Sequence, residues 1–249
     1  MKGFVIKGNI CYSKSSNEIC ITSNGYAVCE NGLCAGVYNK LPENYKNFPI
    51  YDYTDQIIIP GFTDLHVHAP QYAFRGLGMD LELISWLDVH AFTEEAKYNN
   101  IEYADKAYSI FTEDLLKSAT TRACIFATIH APATILLMEK LEASGIKAFV
   151  GKTNMDRNSP VYLCEENAAH TLCNTEKWII DSVKFKNIKP ILTPRFIPAC
   201  SDELMENLSV LQKKYSLPVQ SHLSENLGEI EWVKELCPDT KFYGEAYDK

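Results

Sequence analysis

From about residue 57 onward the chain alternates between two kinds of segment. Apolar, β-rich runs, "IIIPGFTDLHVH", "TTRACIFATIH", "IKAFVGK", "KPILTPRF" and "LPVQSH", are each followed by runs with helical periodicity. These are "LISWLDVHAF" with "IEYADKAYSIFTEDLLKSA", then "PATILLMEKLEASG", "EENAAHTLCNTEKWIIDSVKF", "SDELMENLSVLQKKYS" and "LGEIEWVKEL". Strand followed by helix, repeated in this way, is the pattern of a (β/α) barrel or an open parallel sheet. The helix ends carry their own signals. Pro132 stands near the start of one helix and Gly145 just past its end. Ser201 is placed as the N-cap of another.

Residues 1–56 read differently. Short β-rich runs separated by turn residues, with a hairpin turn at "ENG" (Glu30 to Gly32), predict a small β module. The expected organisation is therefore a β module over 1–56 and a (β/α) catalytic domain over 57–249.

In a barrel of this kind, chemistry collects at the C-terminal ends of the strands. The first strand ends in His66 and His68. Residues two apart on a strand point to the same face, so both imidazoles are expected to project into the mouth, spaced for one metal ion. The second strand ends in His130, which could line the site or cap the following helix. The third ends in Lys152. The fourth ends in Arg195-Phe196, and a guanidinium followed by an aromatic ring suits a planar ligand. The fifth ends in His222, with Glu225 three residues on. Three histidines and a carboxylate at two strand ends suit metal-assisted hydrolysis, in which Glu225 moves protons from the attacking water to the leaving group. His90 and His170 fall in predicted helices and are expected to be structural or solvent-facing.

Composition narrows the function classes. A net charge of -8 argues against a phosphate-binding footprint, so neither nucleic acid nor an anionic membrane is an expected partner. No stretch approaches the apolar length of a membrane span. "MKGFVIKGNICYSKSS" is too polar for a secretory signal, and the nine cysteines are expected to be reduced thiols in a cytoplasmic protein. No two cysteines have C-x-x-C spacing, which disfavours zinc ribbons and the deaminases whose zinc is held by P-C-x-x-C.

These motifs match a family. "PGFTDLHVH" resembles the metal-binding signature of the amidohydrolase superfamily. "HVHAPQYAFRG", "DLELISWLDVHAF", "CIFATIH", "AFVGKTNMDRNSP", "LTPRFIPACSDELM" and "QSHLSENLGEIEWVKELCPD" resemble the guanine deaminases within it. The resemblance implies an α/β fold: the metal-dependent-hydrolase (β/α)8 TIM-type barrel, about five of its eight strands present here, with a small N-terminal β-sandwich module. It implies zinc-dependent deamination of guanine to xanthine and ammonia in purine catabolism. It makes His66, His68 and His222 zinc ligands and Glu225 the catalytic proton shuttle. Gln71, Arg195 and Phe196 would face the purine, with His222 beside it.

The same resemblance calls for a further histidine and an aspartate beyond the fifth strand. Residues up to Lys249 do not contain them, so the expectation is the N-terminal part of a longer deaminase. A homodimer is expected. The rival readings are a deaminase or hydrolase of the same superfamily acting on cytosine or a triazine, and a non-catalytic scaffold on the same fold. A two-metal enzyme would want a lysine at the end of strand four, where this chain has Arg195.

Overall fold

The computed structural model describes residues 3–248. They divide into two compact units, the first ending at Gly61 and the second beginning at Phe62.

The first unit is a four-stranded sheet of β1 (Gly3–Ser15), β2 (Glu18–Glu30), β3 (Leu33–Tyr38) and β4 (Ile50–Ile58), in the order β3-β2-β1-β4. It is one layer of the kind from which a β-sandwich is built. β2 and β3 are joined at Asn31-Gly32, both with positive φ (51° and 77°), as a two-residue hairpin turn requires. β4 runs parallel to β1 and carries Ile57 and Ile58, which pair with Asn9 and Ile10. The isoleucine run that was expected to open the first barrel strand therefore closes the β module. The division falls at Gly61 rather than at residue 56, because Pro60 has no N–H for a sheet ladder and the chain restarts after it.

The second unit is built on β5 (Phe62–His68), β6 (Thr120–Phe126), β7 (Lys147–Gly151), β8 (Thr153–Asn154), β9 (Ile188–Pro190) and β10 (Thr193–Pro194). β5, β6, β7 and β9 form one parallel sheet in that order. β8 and β10 pair with each other just beyond β7 and β9. Gly151 sits where these segments close in, and a Cβ there would lie 1.7 Å from Thr193 Oγ1. The expected fifth strand is reduced to a single bridge, Leu192 to Val219, flanked by Leu192 N–H to Pro218 O and Gln220 N–H to Leu192 O. Its position is the expected one. With one neighbour only among the described residues, the segment makes a short ladder instead of a full strand.

The helices are α1 (Leu83–Trp86), α2 (Phe92–Glu95), α3 (Ile101–Lys117), α4 (Ala131–Ser144), α5 (Ala168–Ser182), α6 (Asp202–Tyr215) and α7 (Leu227–Leu236). α1 and α2 are joined by a π turn, Leu87–Ala91. Asn100, Asn167, Ser201 and Asn226 cap α3, α5, α6 and α7 through their side chains. Gly145 ends α4 in the left-handed conformation (φ 82°). Ile125, Val150 and Ile188 from the sheet pack with Tyr108, Phe111, Leu137, Leu141 and Trp178 from the helices, leaving the C-terminal strand ends free for polar groups.

Candidate metal and substrate site

His66 and His68 leave the end of β5 on one face, and His222 reaches them from the fifth strand position. One ligand nitrogen from each of the three lies within 4.8 Å of the others. His68 Nε2 and His222 Nε2 are 2.9 Å apart. His222 Nδ1 is 2.6 Å from the Arg195 carbonyl oxygen. A carbonyl only accepts, so Nδ1 carries the proton and Nε2 keeps its lone pair. Phe126, at the end of β6, packs on all three rings, with centroids 4.5–4.9 Å away. Burial pushes His68 well below its ordinary value and brings His222 down to about 4. Both imidazoles are thus neutral near pH 7, the form that binds a metal. The donor set fits a single ion held by nitrogen.

Glu225 is delivered by a sharp loop. Ser224 has φ 56°, which turns the chain back between His222 and Glu225. The Glu225 N–H donates to Glu229 Oε2 at 2.7 Å. Glu229 is fully buried, completes the capping box of α7 with Asn226, and accepts from the Tyr243 hydroxyl at 2.5 Å. Burial raises the Glu225 carboxyl above the usual range and the Glu229 charge raises it further, while Arg195 opposes both.

His66, His68, Gln71, Arg195, Phe196, His222 and Glu225 all line one cavity of about 240 Å³, so the residues singled out in the sequence meet in one place. Leu83, Trp86 and Leu87 supply its apolar wall. Arg195 follows β10 directly and is 3% exposed. Its Nη1 and Nη2 donate to Glu95 Oε2 and Oε1 at 2.6 and 3.0 Å. Glu95 is 0% exposed and also accepts from Gln71 Nε2 at 3.1 Å. The Phe92 ring centroid lies 5.0 Å from the Arg195 guanidinium carbon.

Sequence reasoning missed Phe126, Glu229 and Glu95. Nothing local marked Glu95, which stands beside a second glutamate in "AFTEEAKY". His130, left open above, is outside this cavity. It stands before α4 without a side-chain cap, and its Nε2 is buried with no hydrogen-bond partner among the described residues. Lys152 is also outside, in a buried ion pair with Glu165 at 2.5 Å. His90 stacks on Phe74, and His170 lies exposed on α5.

Residues 57–249 match the sequence profile of the amidohydrolase family. The chain is 41% identical over 201 residues to guanine deaminase of Dictyostelium discoideum, covering 80% of this chain and 44% of that one. It is 40% identical over 197 residues to a probable guanine deaminase of Schizosaccharomyces pombe, covering 78% and 37%. The chain thus spans less than half the length of these relatives. Among solved structures, a guanine deaminase from C. acetobutylicum with guanine bound in its active site superposes with a TM-score of 0.94 at 49% identity. That match covers 99% of this chain and 59% of the other. A triazine hydrolase from Arthobacter aurescens, at 15% identity and TM-score 0.83, shares the fold. No helix among the described residues is long and apolar enough to cross a membrane.

Proposed function

Since the chain belongs to the amidohydrolase family, we propose that the protein is a zinc-dependent guanine deaminase, converting guanine and water to xanthine and ammonia in purine catabolism. The observation that carries this reading is the meeting of His66, His68 and His222 with Glu225 in a cavity whose other polar groups are Gln71 and Arg195. Relatives and a solved neighbour named as guanine deaminases support it.

His66, His68 and His222 would hold the ion. A zinc ion bound there supplies Lewis acidity and brings the pKa of a water to about 7. Phe126 packs against all three rings and holds them in place, and the Arg195 carbonyl keeps the His222 tautomer that can donate a lone pair. Gln71 and Arg195 hydrogen-bond the edge of the base, and Phe196 with Trp86 closes apolar surface around its plane. Glu225 accepts a proton from the attacking water and passes one to the ring nitrogen beside the attacked carbon. A proton then goes to the amine, the C–N bond breaks and ammonia leaves. Burial beside Glu229 strengthens Glu225 as a proton acceptor.

The test is ammonia release and xanthine formation from guanine by the intact, zinc-loaded protein. Turnover with about one zinc per chain is expected. A folded, metal-loaded protein that leaves guanine unchanged overturns the proposal. The same preparation, examined by sedimentation, tests the expected homodimer.

A further inference from the structure

Glu95 touches no part of the cavity, yet both polar readers of the cavity end on it. Its Oε1 accepts from Gln71 Nε2 and from Arg195 Nη2, and its Oε2 accepts from Arg195 Nη1. A carboxylate can only accept, so the Gln71 atom facing it must be the amide nitrogen, which leaves the carbonyl Oε1 as the free end of that side chain. The same carboxylate fixes the plane of the guanidinium by two parallel bonds. Phe92, three residues before Glu95 on the same short helix, holds the flat side of that guanidinium. Glu95 is fully buried and Arg195 nearly so, and the pair is formed across a sequence separation of 100 residues.

Resting on the purine-deaminase reading above, we propose that Glu95 is a positioning residue that fixes the hydrogen-bond polarity of the recognition edge. It makes Gln71 an acceptor and holds Arg195, always a donor, in a fixed plane beside it. An acceptor next to a donor is the complement of a lactam, –NH–C(=O)–. The ring N–H gives to Gln71 Oε1 and the carbonyl takes from the remaining Arg195 N–H groups. The class selected is a heterocycle with a lactam edge, over one of the same size without it. Free of Glu95, the Gln71 amide could present either end, and the discrimination would go with it.

Guanine and 2-aminopurine carry the same amine on the same carbon, and only guanine has the lactam. The experiment compares Glu95→Gln with wild type in the intact, zinc-loaded enzyme, with metal content and unfolding temperature measured alongside. Glu95→Gln is expected to lower kcat/KM for guanine roughly 10- to 100-fold, chiefly through KM. The value for 2-aminopurine should be little changed. Equal losses on both bases, or no loss on either, overturn the proposal. Glu95→Asp keeps the charge and is expected to retain part of the preference. It also reads the proposal if the Gln variant does not fold, and complete loss of preference at wild-type stability in Asp would count against it. If the wild type deaminates neither base, the deaminase reading fails separately. Calorimetric binding of the two bases then reads the role of Glu95, and no binding of either overturns that too.

Discussion

The main-chain carbonyl of Arg195 accepts from His222 Nδ1 at an N···O distance of 2.6 Å, while the side chain of the same residue lines the cavity. A histidine of the proposed metal site and a side chain proposed to read the ligand are therefore tied to one residue through two different groups. Because the bond to His222 comes from the backbone, replacing the side chain leaves it in place.

The first prediction concerns that separation. Arg195→Ala should keep its metal while losing guanine use, yet it also leaves Glu95 as a buried carboxylate without its cation. Breaking such a pair costs about 3–5 kcal/mol of stability. Arg195→Lys keeps the charge but not the two parallel bonds, and should fold better while still losing kcat/KM for guanine. Metal analysis, thermal unfolding and kinetics on the two variants check this. Metal loss in parallel with activity would show that the side chain supports the histidines.

Glu225→Gln preserves shape but cannot take and return a proton. Turnover should fall roughly 10²- to 10⁴-fold with metal retained. Single-turnover assays on metal-matched protein decide it, and near wild-type rates would remove Glu225 from the proton path.

The pH profile follows from the neighbour of Glu225. Burial and then Glu229 raise the Glu225 carboxyl, against the pull of Arg195. Glu225 must be ionised to accept the first proton, so activity should fall as pH drops through this raised value. Glu229→Gln removes the nearby negative charge and should move the acid limb of kcat/KM to lower pH. A limb that stays put assigns it to another group.

A fourth prediction is about stability alone. Burial raises Glu142, but backbone N–H groups of Asn187, Lys186 and Ile188 outweigh it, and its carboxyl lies below the usual value. The bonds to those N–H groups are 2.8–3.2 Å and tie the end of α4 to the start of β9. A carboxyl lowered on folding stabilises above its unfolded value, near 4.5, and that stability is lost as pH falls through the folded value. Glu142→Gln should therefore be destabilised at pH 7 by on the order of 1 kcal/mol, and the gap to wild type should close in acid. Urea unfolding at both pH values measures it.

The legible parts of the chain were those set by local period. His66 and His68 share a face because a strand repeats every two residues, and Ser201 and Gly145 mark helix ends by their own chemistry. Arg195 and Glu225 stood out at or just after strand ends, whereas Gln71, in the turn after β5, was singled out only through the family resemblance, and the structure brings all three to one cavity. Glu95 was not legible, since its role is created by a partner 100 residues away. Ile57 and Ile58 were misplaced because an apolar run beside a proline can end one strand as readily as begin the next. The fifth strand was overdrawn because its sequence gives the propensity for pairing but not the number of partners.

The π turn at Leu87–Ala91 sets a phase. Such a turn accommodates an additional residue within a helix, and each residue advances an α-helix by about 100°. Leu83 and Trp86 before it and Leu87 at its first position form the apolar wall of the cavity, and Phe92 and Glu95 after it brace the polar wall. Deleting one residue from the turn would make a more regular helix and swing Glu95 away from Arg195. In this segment, helical regularity and ligand choice pull against each other, so a sequence optimised only for helix formation would lose the clamp.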